Sequence, residues 1–230
     1  LSPRLLGPKV IPKEAWIKYG ISAERIKQYN ALDPWAWLKD FTPNEHILRE
    51  FGLSHSKHIL TFRPEEEFAA YLLGKPRGKS RIIHVMERIL KERDDIQIVA
   101  IPRYTGQIEV LRQSLKDKIV ICRSSIDGPS LLYYTTIFTG GGGTMTTEAA
   151  LLGVPTFSCY PSEPFIILKY LIRKGFVKLE RDPNELAIKI LKTLDNIEDE
   201  KRRQRERAKR LVETFEDPIR VITSEIEKTV

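Results

Sequence analysis

The run TIFTGGGGTMTTEAALLGVPTFSCY, residues 136–160, decides how the chain is read. Residues 136–139 are β-branched or aromatic and predict a strand that runs straight into four glycines. Residues 144–152 predict a helix. Gly153 and Pro155 close it, because glycine supplies the left-handed residue that commonly ends a helix and proline does not continue one. Residues 154–160 predict the next strand. Two strands joined through a helix make a βαβ unit, the building block of a parallel sheet.

The same alternation extends in both directions. Toward the amino terminus, strands are predicted at 118–122, 96–101 and 59–62. Helices are predicted at 129–134, with Asp127 as N-cap, at 107–115, and at 80–92, where Ile82, Ile83, Met86, Ile89 and Leu90 recur at the spacing of one helical face. Toward the carboxyl terminus come an apolar helix at 164–174, a strand at 176–179 and an amphipathic helix at 182–194 opening on Asp182 and Pro183. Two further helices are predicted at 199–213 and 218–228. The expected fold is α/β, a doubly wound parallel sheet with helices on both faces. Residues 1–55 are less regular, with a short helix within 12–19 and a strand at 25–29. The segment LDPWAWLKDF (32–41) reads as an extended connector in which Trp35 and Trp37, two residues apart, share one face. The domain organisation expected is 1–55 as a connector, 56–196 as a Rossmann-like domain and 197–230 as carboxy-terminal helices.

A chain of 230 residues with 41% hydrophobic and 30% charged residues has enough apolar content for a packed core, which excludes wholesale disorder. No apolar run approaches the roughly 20 residues needed to span a bilayer, and the start at Leu1 lacks a signal-peptide pattern. Cys122 and Cys159 fall in predicted strands and make no disulfide framework, which fits a reducing cytoplasm. The net charge of +7 favours an anionic partner without identifying one. Much of that excess lies in KRRQRERAKR (201–210), read as a solvated helix face in preference to a nucleic-acid contact.

Candidate chemistry concentrates at Gly140, Gly141, Gly142, Gly143, Thr144 and Met145. Glycines admit positive φ and remove the Cβ atoms that block close approach, so backbone N–H groups can converge on one anion. The helix that follows adds its free N–H groups and a partial positive charge. The plainer alternative is a turn that only packs helix on sheet, but four glycines cost about 0.5–1 kcal/mol each relative to alanine, which favours binding. The run matches neither the spaced glycines of dinucleotide sites nor the lysine-containing phosphate loop. Glu148 lies one helical turn beyond Thr144 and is placed to accept hydrogen bonds from vicinal hydroxyls; complementing the helix start is its alternative.

Arg63 and Arg103 each follow a predicted strand, and both are suited to phosphate. Ion pairs with Glu65, Glu66, Glu67 or Glu109 are the competing explanation. The acidic run 65–67 reads as a solvated turn before a paired-acid catalyst. Ser162 and Glu163 are assigned either to capping the next helix or to a sugar. The four histidines, His46, His55, His58 and His84, show no metal-ligand spacing, and no cofactor or metal is expected.

Residues 123–160 (RSSIDGPSLLYYTTIFTGGGGTMTTEAALLGVPTFSCY) resemble the carboxy-terminal domain of GT-B-fold enzymes. The chain is most similar to the archaeal domain of unknown function 354, over nearly its whole length, including Pro12-Lys13-Glu14, Thr61-Phe62-Arg63-Pro64 and Ile101-Pro102-Arg103. More distantly it is similar to the N-acetylglucosaminyltransferase of peptidoglycan synthesis and to the non-hydrolysing UDP-N-acetylglucosamine 2-epimerase. The resemblance implies a GT-B-type carboxy-terminal Rossmann-like domain, with the first thirty or so residues as the tail of an amino-terminal lobe that the chain lacks. It implies that Ile126, with Asp127, meets the uracil, that Gly142, Gly143 and Thr144 hold the diphosphate, and that Glu148 takes the ribose hydroxyls. Glycine replaces the transferase's basic or serine residue in the turn. The epimerase carries basic or histidine residues after the strands that here precede Arg63 and Arg103. The function expected is a glycosyltransferase domain with a UDP-sugar as partner. An epimerase-like isomerase, a non-catalytic nucleotide-binding module and a nucleic-acid binder are the alternatives.

Overall fold

The computed structural model describes residues 4–65 and 80–228. Strands β1 (Leu5–Pro8) and β2 (Ile26–Tyr29) pair in parallel as a two-stranded ribbon, joined through the short helix α1 (Glu14–Ile17). Of these, β1 has no counterpart in the sequence reading: LLGP contains a glycine and a proline, which carry little strand propensity. Helices α2 (Trp35–Leu38) and α3 (His46–Glu50) follow. Helix α2 corrects the expectation for Trp35 and Trp37. Two residues apart on a helix means about 200° of rotation, so the rings point to different sides. Trp35 packs edge-on against Phe215 with ring centroids 6.1 Å apart, whereas Trp37 is 45% exposed.

From β3 (His58–Arg63) the chain alternates strictly. It passes through α4 (Arg81–Glu92), β4 (Ile96–Ala100), α5 (Thr105–Leu115), β5 (Ile119–Ile121), α6 (Gly128–Tyr134), β6 (Ile137–Gly140), α7 (Thr144–Leu151), β7 (Thr156–Ser158), α8 (Ile166–Arg173), β8 (Val177–Leu179) and α9 (Pro183–Leu194). Six parallel strands result, in the order β5-β4-β3-β6-β7-β8. The chain starts mid-sheet at β3, builds outward to β5, then returns past β3 to build the other half. Connections leave β3 and β6 in opposite directions, which opens a crevice at their carboxyl ends. Register sets Arg63 directly opposite Gly140 at that point.

Strands buried on both faces read as continuous apolar runs, and alternate residues serve two cores. Leu60, Phe62, Ile98 and Phe157 face α4, α5 and α9, while Ile59, Val99 and Phe138 face α3, α6 and α7. On α4, Ile82, Ile83, Val85, Met86 and Ile89 are all buried, each contributing about 1.5–3 kcal/mol. The helical face read from sequence is therefore the face that packs.

Helices α10 (Ile197–Val212) and α11 (Pro218–Glu227) end the described chain. The basic run of α10 is largely paired within the helix: Arg202 with Asp199 at 2.7 Å, Arg203 with Glu200 at 2.7 Å and Arg210 with Glu206 at 3.7 Å. Arg207 donates to the Gly175 carbonyl at 2.7 Å, so part of the run serves the fold. Gly153, with φ +71, lets α10 cross α7 closely; a Cβ there would lie 2.7 Å from the Arg205 Cα. Glu216 accepts from the Asn30 backbone N–H and Lys39 pairs with Asp217 at 2.8 Å, so α11 is tied to the segment between β2 and α3.

Candidate nucleotide site at the switch point

Strand β6 ends at Gly140, and α7 begins four residues later. Gly142 and Gly143 have φ of +97° and +99°, a region L side chains rarely adopt. The other two glycines have different reasons. A Cβ on Gly140 would press to 3.2 Å on the Phe138 ring, whereas one on Gly141 would meet the Glu65 backbone at an ordinary 3.6 Å. Gly143 is the N-cap of α7 and offers no side chain to its first turn, whose N–H groups lie at the positive end of the helix. Met145 is buried.

Side chains gather around this turn from four elements. The Arg63 Nη1 lies 3.9 Å from the Met145 Sδ, and a Cβ on Gly128 would sit 3.6 Å from the Met145 Cε, so β3, α6 and α7 meet at one methionine. Ile126, partly buried, packs against the apolar cluster that includes Met145, and Asp127 caps α6 by accepting from the Ser130 N–H at 3.1 Å. Glu148 is half-buried. Burial pushes its carboxyl above the ordinary value, and the Trp37 N–H and the Arg63 charge pull it back. Trp37 Nε1 donates to Glu148 Oε1 at 3.0 Å.

Gln107 organises the neighbouring strand ends. Its Oε1 accepts from the Arg103 N–H at 2.8 Å and its Nε2 donates to the Glu65 carbonyl at 3.0 Å. Arg63 ends β3 and Arg103 follows the adjacent β4, and the exits of the two strands are stitched together. Glu109, one of the ion-pair partners considered for these arginines, pairs with Arg112 at 3.0 Å. The Glu65 carboxylate accepts from Ser80 Oγ and from Cys159 Sγ, which turns it toward the protein; Glu66 and Glu67 lie outside the described residues. Ser162 and Glu163 do not cap a helix. The N-cap of α8 is Phe165; Glu163 pairs with Lys169 at 2.7 Å and the Ser162 carbonyl accepts from Arg181.

Both cysteines are free and buried, and burial holds the Cys159 thiol, also beside Glu65, well above its ordinary pKa. Among the described residues no group of three or more His, Cys, Asp or Glu could hold a metal ion, and no helix is long and apolar enough to cross a membrane.

Residues 1–230 match the family described as Protein of unknown function (DUF354). The chain belongs to this family. A DUF354 chain of this kind is similar to the uncharacterized protein MJ0665 of Methanocaldococcus jannaschii, 36% identical over 65% of this chain and 42% of that protein. In fold it is similar to a Listeria monocytogenes protein described as a UDP-N-acetylglucosamine 2-epimerase, with a TM-score of 0.65 and 18% identity over 95% of this chain and 57% of that one. It is also similar to Anabaena Alr3699/HepE in complex with UDP-glucose, with a TM-score of 0.63 and 14% identity over 100% of this chain and 64% of that one. The chain spans less than two thirds of the length of each of these. The six-stranded sheet and its helices are those of a GT-B Rossmann-like domain.

Of the residues singled out in the DUF354 sequence, Arg63, Ile126, the four glycines, Thr144, Met145 and Glu148 come together at the switch point, and Arg103 lies one strand further out. Two contacts were not read from the sequence, those of Trp37, assigned there to a packed connector, and of Gln107. Trp37 carries no motif, and its contact with Glu148 spans 111 positions. Gln107 is a buried amide four residues past Arg103, a spacing that could have marked it as a helix-start brace.

Proposed function

We propose that this chain is the nucleotide-sugar-binding half of a two-lobed GT-B-type enzyme, a glycosyltransferase that takes a UDP-sugar. In this reading residues 1–55 are the tail of an amino-terminal lobe and its connector, 56–196 the donor domain and 197–230 the carboxy-terminal helices. The observation that carries it is the start of α7. Two consecutive positive-φ glycines lead into a helix whose N-cap offers no side-chain acceptor, at the crevice between β3 and β6, with a half-buried carboxylate one turn further on. A diphosphate is favoured there by main-chain dipoles alone. As the bond to the sugar breaks, the same N–H groups stabilise the negative charge that develops on the leaving diphosphate. Arg63 supplies a fixed positive charge at the edge of this seat. Glu148 accepts from the ribose hydroxyls, and Ile126 is assigned to the base.

Epimerisation is the second reading, favoured by the fold shared with the Listeria protein. It needs additional groups for proton transfer, which belong to the partnering lobe. A cytoplasmic setting accompanies both readings, supported by two buried free thiols.

The test is a titration of the isotopically labelled chain with UDP and with UDP-N-acetylglucosamine. Amide resonances of residues 140–146 should shift, and Glu148→Ala should weaken binding about tenfold or more while leaving the fold intact. Unmoved turn amides at saturating ligand would end the assignment.

A further inference from the structure

Helix α2 lies outside the six-stranded sheet, yet it sends one side chain into the candidate site. The Trp37 indole N–H donates to Glu148 Oε1 at 3.0 Å although the ring is 45% exposed. Its helix is held from both sides of that tryptophan. Trp35 packs on Phe215, and Lys39 pairs with Asp217 at 2.8 Å and with Asp40 at 3.0 Å. Leu38 joins the core formed by α7, α8 and α10. The helix that carries Trp37 is therefore held by its neighbours, and the indole N–H meets Glu148 in the structure without a ligand.

A glutamate carboxylate turns easily about its last torsion, whose wells are broad. To hold the two hydroxyls of a ribose, its plane must be fixed so that both oxygens face the diol. We propose that Trp37 is the positioning residue for ribose recognition: its N–H fixes one oxygen of Glu148 and leaves the other, with the remaining lone pair of the first, for the 2′- and 3′-hydroxyls. This rests on the reading of Glu148 as the ribose acceptor. Indole nitrogen only donates, so it favours the ionised carboxylate and supports the acceptor-only state that a diol requires. Removing the N–H leaves a half-buried carboxylate with a looser plane and a greater tendency to take up a proton.

The experiment compares the affinities of the native chain, Trp37→Phe and Glu148→Gln for UDP and 2′-deoxy-UDP, from mildly acidic to neutral pH. Native protein should prefer UDP. Trp37→Phe should lose about tenfold in UDP affinity and little for 2′-deoxy-UDP, and the acid side of its pH profile should move upward. A merely structural role would weaken both nucleotides alike and leave the pH profile in place. In unmutated protein, the Trp37 indole resonance should follow the ionisation of Glu148 and shift on adding UDP, a readout independent of how well any variant folds. An unchanged preference and pH profile in Trp37→Phe, or an indole resonance indifferent to both, would overturn this inference alone. Equal affinity of the native chain for the two nucleotides, or a full preference retained in Glu148→Gln, would overturn the ribose assignment together with it.

Discussion

Helices α6, α9 and α11 open on Asp127, Asp182 and Asp217, each followed within two residues by proline, whereas α7 opens on Gly143. In the first three, the aspartate oxygen accepts from N–H groups of the first turn; Asp182 takes those of Asn184 and Glu185, both at 2.9 Å. These helix starts carry their own side-chain caps. Other helices also lack a side-chain cap, but α4, α5 and α8 are entered from residues with negative φ, and the Ser80 hydroxyl before α4 is turned to Glu65. Only α7 combines a bare first turn with two left-handed glycines and a place at the switch point, among the helices described. The difference teaches that a start satisfied from within stabilises the fold, and a start left open at a crevice has capacity for an external anion.

Three substitutions test that contrast. The largest effect is expected of Gly142→Val. The φ of +97° costs about 1–3 kcal/mol for a side chain, and its Cβ would come within 3.2 Å of the Phe165 ring and 3.3 Å of Leu168. Chemical denaturation should show this loss together with loss of UDP binding, and a variant with native stability would mean the turn is not locked in this shape. Asp182→Ala should cost about 0.5–2 kcal/mol through the lost cap, with UDP affinity untouched. A large fall in affinity there would erase the distinction between the two kinds of start.

The third effect is smaller and depends on pH. The Lys39 ammonium holds the Asp217 carboxyl below its ordinary value, so its stabilising contribution is present above the unfolded pKa and fades as the solution is acidified through the folded one. Glu148 has the opposite sign. Burial raises its pKa in the folded chain, so the folded state loses stability relative to the unfolded one as pH rises from 4.5 through the raised value. Glu148→Gln should therefore melt slightly higher than native protein near neutrality, and the gap should close in acid. Thermal melts across pH measure both trends, and a Gln variant that melts lower at every pH would show that Glu148 supports the fold.

The fold was legible because parallel strands and their crossovers leave local marks: 3.6-residue periodicity on α4, the Asp-Pro start of α9, and the glycine-proline stop after α7. The strand order was not legible, since nothing in β3 or β6 states that they will be neighbours. The first 55 residues were harder. Strand β1 spans only LLGP, and α2 is a single turn whose helical state comes from packing on Phe215 and the α7–α8 core. In the site, the glycines and Glu148 stood out because they lie within one βαβ unit. Trp37 reaches Glu148 from 111 positions away, and such a contact exists only once the chain has folded back on itself.

Gly153 ends α7 and also gives way to α10, whose Arg205 backbone would lie 2.7 Å from any β-carbon placed there. The far end of the proposed anion-binding helix is therefore wedged under the carboxy-terminal segment. Shortening the protein to its sheet would remove this wedge and loosen the strut on which the glycine turn is mounted. An attempt to carve out a minimal nucleotide-binding fragment should keep residues 197–212 attached, however dispensable a run of arginines looks on paper.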